Sequence, residues 1–162
     1  MSEYTVRIEI SKGTNVKYEF DHDSHQLLCD RILHCPMAYP FSYGYIEGTL
    51  GGDGDPIDAV VLCEEPLFPT CLIKCRPLGF LFTEDNNGED YKIIMVPVSK
   101  VDPFFKHIFE LSDLSKNLLD KIKFFFENYK KLEPGKWIKV GNWGNSIEAN
   151  EIIKKSIITS SN

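Results

Sequence analysis

The chain has 162 residues, 43% of them hydrophobic and 26% charged, the balance of an ordinary globular protein and enough for one domain, 1–162, with its own core. The formal charge of −6 argues against broad binding to nucleic acid, which needs lysine and arginine to neutralise phosphates, but leaves a phosphorylated substrate open because local field outweighs the total. No apolar run approaches the ~20 residues that span a bilayer, and Met1–Arg7 lacks the apolar centre of a signal peptide, so a cytoplasmic protein with no membrane partner is expected.

Apolar residues alternate through Tyr4, Val6, Ile8 and Ile10, the period of a half-buried strand. A turn over 11–15 leads to a second strand at Val16–Phe20, with Lys17 and Glu19 on one face and Val16, Tyr18 and Phe20 on the other. A third strand is expected at Gln26–Leu33, where Arg31 sits in apolar surroundings and needs an acidic partner, Asp30 or another. Between them, Asp21–His25 reads as an exposed turn. Tyr39–Ile46 reads as a loop entering a short strand, and Ile57–Cys63, Cys71–Phe82 and Tyr91–Val98 continue the β pattern. The five cysteines are an odd number with no C-x-x-C pair, so no disulfide framework is expected, and Cys71 and Cys75 read as buried reduced thiols rather than zinc ligands.

Asp102-Pro103 suits an N-cap and first helical position for a short turn through Phe109. Leu114, Leu118, Ile122, Phe125 and Tyr129 recur at spacings of four and three, predicting an amphipathic helix over 112–130 that Pro134-Gly135 ends. A last short strand at Trp137–Val140 and a helix over 146–158 follow. The fold class is mainly β with flanking helices (α+β), a small barrel or sandwich with a long amphipathic helix and a C-terminal helix.

Gly52-Asp53-Gly54-Asp55-Pro56-Ile57-Asp58 places three carboxylates within six positions. In extended chain Asp53 and Asp55 project from one face, roughly 6–7 Å apart, and Asp58 joins them only if the chain bends, which Pro56 is suited to do. Such carboxylates repel by roughly 3 kcal/mol at an effective dielectric of about 20, a cost that a hard divalent cation reverses. Aspartate, glycine and proline also make plain surface turns. A calcium loop of the EF-hand type is excluded, because a start at Asp53 needs an oxygen ligand at 57 and glycine at 58, where the chain has Ile57 and Asp58.

Glu84–Asp90 is a second acidic stretch that reads as a plain hairpin turn around Asn86-Asn87-Gly88; if the hairpin forms, Asp85 and Asp90 lie close at its two ends, with Lys92 in the next strand. Acids in two turns, together with Lys17, Arg31, Lys92, Lys130 and tyrosine hydroxyls, are the parts that hold a polyanion and its metals for phosphoryl transfer to water.

From Arg7-Ile8-Glu9-Ile10 through Lys17-Tyr18-Glu19, Asp30-Arg31, Tyr43-Gly44-Tyr45, Asp53–Asp58, Gly88-Glu89-Asp90 and Tyr129-Lys130 to Gly135-Lys136-Trp137, nearly the whole chain resembles the family I soluble inorganic pyrophosphatases of the short prokaryotic type. The resemblance implies a closed five-stranded OB-type barrel with helices outside, and magnesium-dependent hydrolysis of pyrophosphate to two orthophosphates. It implies Asp53, Asp58, Asp85 and Asp90 as metal ligands with Glu19 at the edge. Asp55 is then the general base acting on a water that two metals share. Lys17, Arg31, Tyr43, Tyr129 and Lys130 bind phosphate with Lys92 in the same cluster, supported by Tyr39 and Glu9. A homohexamer is also implied. Asn86 departs from the pattern, standing where many relatives have an acid, which implies little effect on the chemistry and at most weaker binding of the outer metals. A non-catalytic OB-type binding module would instead show a basic groove with exposed aromatics.

Overall fold

In the computed structural model, which describes residues 2–159, Val6, Ile8 and Ile10 of β1 (Tyr4–Ile10) are buried and the residues between them half-buried, as their alternation predicts. A hairpin of β2 (Val16–Asp21) and β3 (Gln26–Ile32) follows, then β4 (Ser42–Ile46), β5 (Asp58–Val61), β6 (Leu72–Asp85) and β7 (Gly88–Pro97). Helix α1 (Lys116–Asn128), strand β8 (Ile138–Asn145) and helix α2 (Ser146–Ser156) come last.

Pairing runs β1–β4–β5–β7–β6 and returns from β6 to β1, closing a ring of five strands. β6 is long enough to serve three partners: β1 through Leu72–Cys75, β8 through Gly79–Asp85, and β7 along nearly its whole length. Closure removes the ring's free edges. This is the five-stranded OB-type barrel with outer helices that the sequence pointed to, mainly β with two flanking helices. β5 and β7 run parallel, which decides where their side chains meet in the site below.

Alternate residues of the ring supply two apolar clusters. Val60, Ile94 and Val96 pack with Ile122, Phe125 and Phe126 of α1, whereas Ala59, Val61, Ile93 and Met95 pack with Ala149 and Ile153 of α2. Strands covered on both faces read as continuous apolar runs, as Ala59–Leu62 and Ile93–Val96 do.

The main differences from the predicted elements lie in the C-terminal third. The helix expected over 112–130 begins only at Lys116: Leu111–Asp113 forms a 3-10 turn, Leu114 is extended, and the Ser115 hydroxyl caps α1 by accepting from Leu118 N at 3.2 Å. Asp113 spends its carboxylate on the amides of Phe109 and Glu110, so apolar periodicity continued past a break made by capping. The turn after Asp102 ends at Phe105, β8 runs on to Asn145, and α2 stops at Ser156 because Ile157 bridges to Thr49. The five cysteines are free, Cys75 buried and Cys71 half-buried. No helix among the described residues is long and apolar enough to cross a membrane.

Candidate active site

The acidic loop before β5 is a turn, not extended chain. Gly51 N–H donates to Asp55 O at 2.7 Å, Gly54 N–H to Gly51 O at 3.1 Å, and Gly54 takes φ 87°, a left-handed conformation that glycine adopts freely. The expectation that Pro56 sets the bend is corrected accordingly: the chain turns at Gly54, and Pro56 leads out toward β5. The Asp53 carboxylate accepts from Asp55 N at 3.0 Å, stiffening the turn.

Asp58 opens β5, and the parallel pairing of Ala59 with Ile93 sets it beside Lys92 of β7. Lys92 Nζ lies 2.8 Å from Asp58 Oδ2 and 2.8 Å from the Tyr43 hydroxyl, and it also bonds Asp90. Asp90 and Lys92 are two apart on one strand and so share a face. At the β6–β7 turn, Asp85 accepts from Asn87 N at 2.8 Å and from Lys130 Nζ at 3.2 Å, which ties that turn to the end of α1. Asn86 donates to Gly135 O and accepts from Trp137 N, each at 3.1 Å. An aspartate there could only accept, so asparagine has a structural use at this position.

On the hairpin, Lys17 pairs with Arg31 and Tyr18 with Cys29, so Asp30 is bulged out between the two cations. Lys17 Nζ is 2.7 Å from Glu19 and 3.6 Å from Asp30; Arg31 bonds Asp30 through Nη1 and lies 2.8 Å from Glu133 through Nε.

These elements enclose a cavity of 280 Å³, small for a ligand pocket and suited to a compact polyanion. Of the residues singled out in the sequence, the five aspartates, Glu19, Lys17, Lys92, Lys130, Tyr43 and Tyr129 line it, as do Glu9 and Tyr39; Arg31 does not. His22 lines it too, its ring 5.1 Å from that of Tyr45, although its turn is exposed as expected. The exposed turn of His22 was expected, but its place on the cavity wall and the burial of Glu133 were not, because a polar turn and a charge after a helix carry no local sign of what they face.

Burial pushes the Asp55 carboxyl up, and the charges of Asp53, Glu19 and Asp90 add to it against the pull of Lys17. Burial likewise raises Asp90 to about 6, with Lys92 opposing and Asp58 assisting. Asp85 ends below the ordinary carboxylate range: burial would raise it, but the Asn87 amide and the Lys130 ammonium outweigh that. Lys92 stays protonated despite its burial because Asp58, Tyr43 and Asp90 surround it, and burial lifts Tyr129 to about 12. At neutral pH the wall is therefore acids interleaved with held cations and protonated tyrosines.

Among the described residues no three acids converge tightly enough to cage an ion alone. The donors are carboxylate oxygens, and Lys92 already puts one positive charge between Asp58 and Asp90. Such a set fits a hard divalent ion that takes one or two carboxylates and completes its shell with water and phosphate oxygens.

A closed barrel carrying this acidic and cationic cavity defines an enzyme class, the hydrolases of small phosphoric anhydrides. The family model described as inorganic pyrophosphatase matches residues 6–160, and the chain belongs to that family, in its prokaryotic type. It is 47% identical to an inorganic pyrophosphatase of Saccharolobus solfataricus over 96% of this chain and 90% of the relative. With one of Nanoarchaeum equitans it shares 51% over 92% of each. The solved inorganic pyrophosphatase of Helicobacter pylori superposes with a TM-score of 0.94 at 45% identity, covering 96% of this chain and 92% of that one. The chain is thus an inorganic diphosphatase, an enzyme of a family that uses a divalent metal.

Proposed function

We infer that this enzyme hydrolyses pyrophosphate to two orthophosphates with Mg2+ as its metal and Asp55 as general base. The observation that carries the reading is the meeting of five aspartates, from two turns far apart in sequence, with lysines and tyrosines in one cavity. Asp53, Asp58, Asp85 and Asp90 would hold magnesium, with Glu19 at the edge. When bound, magnesium neutralises phosphate charge and acidifies water. Asp55 takes the proton from the attacking water, and its raised affinity for protons makes it a stronger base than an ordinary carboxylate. A new P–O bond forms as the bridging P–O bond breaks, and the leaving orthophosphate carries off the bond's electron pair. Lys17, Arg31, Lys92 and Lys130, with the Tyr43 and Tyr129 hydroxyls, hold the phosphate oxygens and offset that charge.

Residues 1–162 are read as one such domain, a reading supported by the family match over 6–160, in a cytoplasmic homohexamer with no nucleic-acid or membrane partner. Orthophosphate release from pyrophosphate, measured with magnesium, manganese, zinc and calcium, tests the reaction. Magnesium should support turnover, and calcium should bind without doing so because its looser shell misplaces the water. No release with magnesium would overturn the reading. Asp55→Asn should keep the fold and slow turnover by about 10²- to 10⁴-fold; unchanged turnover removes Asp55 from the role.

A further inference from the structure

Glu133 is buried, yet its position in the turn after α1 marks it as a surface acid. Its Oε1 lies 2.8 Å from Arg31 Nε, across the gap between the β2–β3 hairpin and the turn that carries Tyr129 and Lys130. The Glu133 amide donates to Lys130 O at 2.9 Å, so the acid is fixed to that turn. The ion pair is close but not aligned: Arg31 Nε and Glu133 Oε2 are both buried without a hydrogen-bond partner. A buried carboxylate half satisfied in this way is a poor stabiliser, since an apolar side chain would fill the space at less desolvation cost.

The hairpin adds a second point. β2 and β3 form their own two-stranded sheet, and a hairpin alone holds its position weakly. Phe20 N–H donating to Glu9 at 2.8 Å and Arg7 stacked 4.5 Å over the Phe20 ring anchor it toward β1. On the other side, Tyr18 packs on the core cluster that α1 shares, and Arg31–Glu133 ties the hairpin to the turn after α1. Within the guanidinium, Glu133 takes the Nε side and Asp30 takes Nη1, so Nη2 has no acceptor among the described residues.

We propose that Glu133 is a positioning residue: it holds Arg31, which stands outside the cavity's lining, so that the remaining Nη2 is kept available to an anionic oxygen of pyrophosphate. This rests on the reading of Arg31 as a phosphate ligand. Removing the charge while keeping the shape loosens the guanidinium and weakens substrate binding more than it slows the chemistry.

The experiment is steady-state kinetics on Glu133→Gln, Glu133→Ala, Arg31→Ala and the Arg31→Ala/Glu133→Gln double variant at saturating magnesium. Glu133→Gln and Glu133→Ala should raise KM for pyrophosphate about 10-fold, the size of one lost charge-assisted contact, with kcat within about 3-fold. In the Arg31→Ala background, Glu133→Gln should leave KM where Arg31→Ala put it. A purely structural role lowers kcat through the folded fraction and leaves KM unchanged; that outcome, or an equal rise in KM with and without Arg31, overturns the proposal. If Arg31→Ala itself leaves KM at the wild-type value, the phosphate-ligand reading fails and the positioning role falls with it. If Arg31→Ala raises KM and Glu133→Gln does not, the positioning role alone fails.

Discussion

Glu9 shows what the barrel does to a single side chain. It sits between Ile8 and Ile10 on β1, a polar position by alternation, but the hairpin covers it and its carboxylate accepts only the Phe20 amide in the described structure. Burial raises it to about 7, with the Phe20 hydrogen bond opposing and the charges of Asp58 and Glu19 assisting. The folded state therefore keeps the proton to higher pH than the unfolded chain, whose value is 4.5. Below 4.5 the group is neutral in both states and has no effect; stability then falls as pH rises to 7, and the penalty stays constant above that. At about 1.4 kcal/mol per pH unit, the full penalty is about 3 kcal/mol. Urea unfolding of the metal-free protein should show Glu9→Gln matching wild type near pH 4 and more stable by about that amount at pH 8. Parallel stability curves would show that Glu9 is ordinarily ionised. The two acidic turns stood out by their glycines, proline and close spacing, and the cations as a group, but the role of each residue came only with the family resemblance. The partners of Arg31 were only half legible: Asp30 is adjacent in sequence, whereas Glu133 is brought up by the fold.

Elements were legible wherever period and turn chemistry agreed. β1, β2 and β3 lie within a residue of their expected ends, because Gly13, His25 and their neighbours make turns that close on themselves. The start of α1 was misplaced because Ser112, Asp113 and Ser115 all offer caps, and periodicity cannot choose among them. The seam between β1 and β4 depends on a feature that no pattern marks. Gly44 faces Ile8 in the pairing, and a Cβ there would lie 1.8 Å from the Arg7 carbonyl oxygen. Backbone cannot yield as a side chain can, so Gly44→Ala should cost about 3 kcal/mol or more by forcing the strands apart. The urea midpoint reads this directly, and an unchanged midpoint would mean that the seam relaxes freely.

At the scale of the molecule, ring closure is what makes a site. Asp53–Asp58 leads into β5, Asp85 and Asp90 flank the β6–β7 turn, Lys17 sits on the hairpin, and Tyr129 and Lys130 follow α1; β5 beside β7, with the hairpin and helix flanking, brings them to one mouth, while Arg31 of the hairpin stays outside its lining. The outer surface keeps large apolar side chains, Phe68 at 80% exposure among them with Phe124, Leu132 and Ile147. The proposed symmetric assembly would cover part of this surface. Sedimentation equilibrium should return six times the chain mass, and a monomer at micromolar concentration would overturn the hexamer. By itself the sequence determined the strands, the two acidic turns and the family they resemble, because alternation, glycine and proline turns and motif spacing are local and survive in one dimension. Only the tertiary structure decided that the bend lies at Gly54, that Lys92 bridges Asp58 and Asp90, and that Glu133 meets Arg31. Each of these depends on register and burial between segments distant in the chain, and burial is what turns a charged residue into a positioned one.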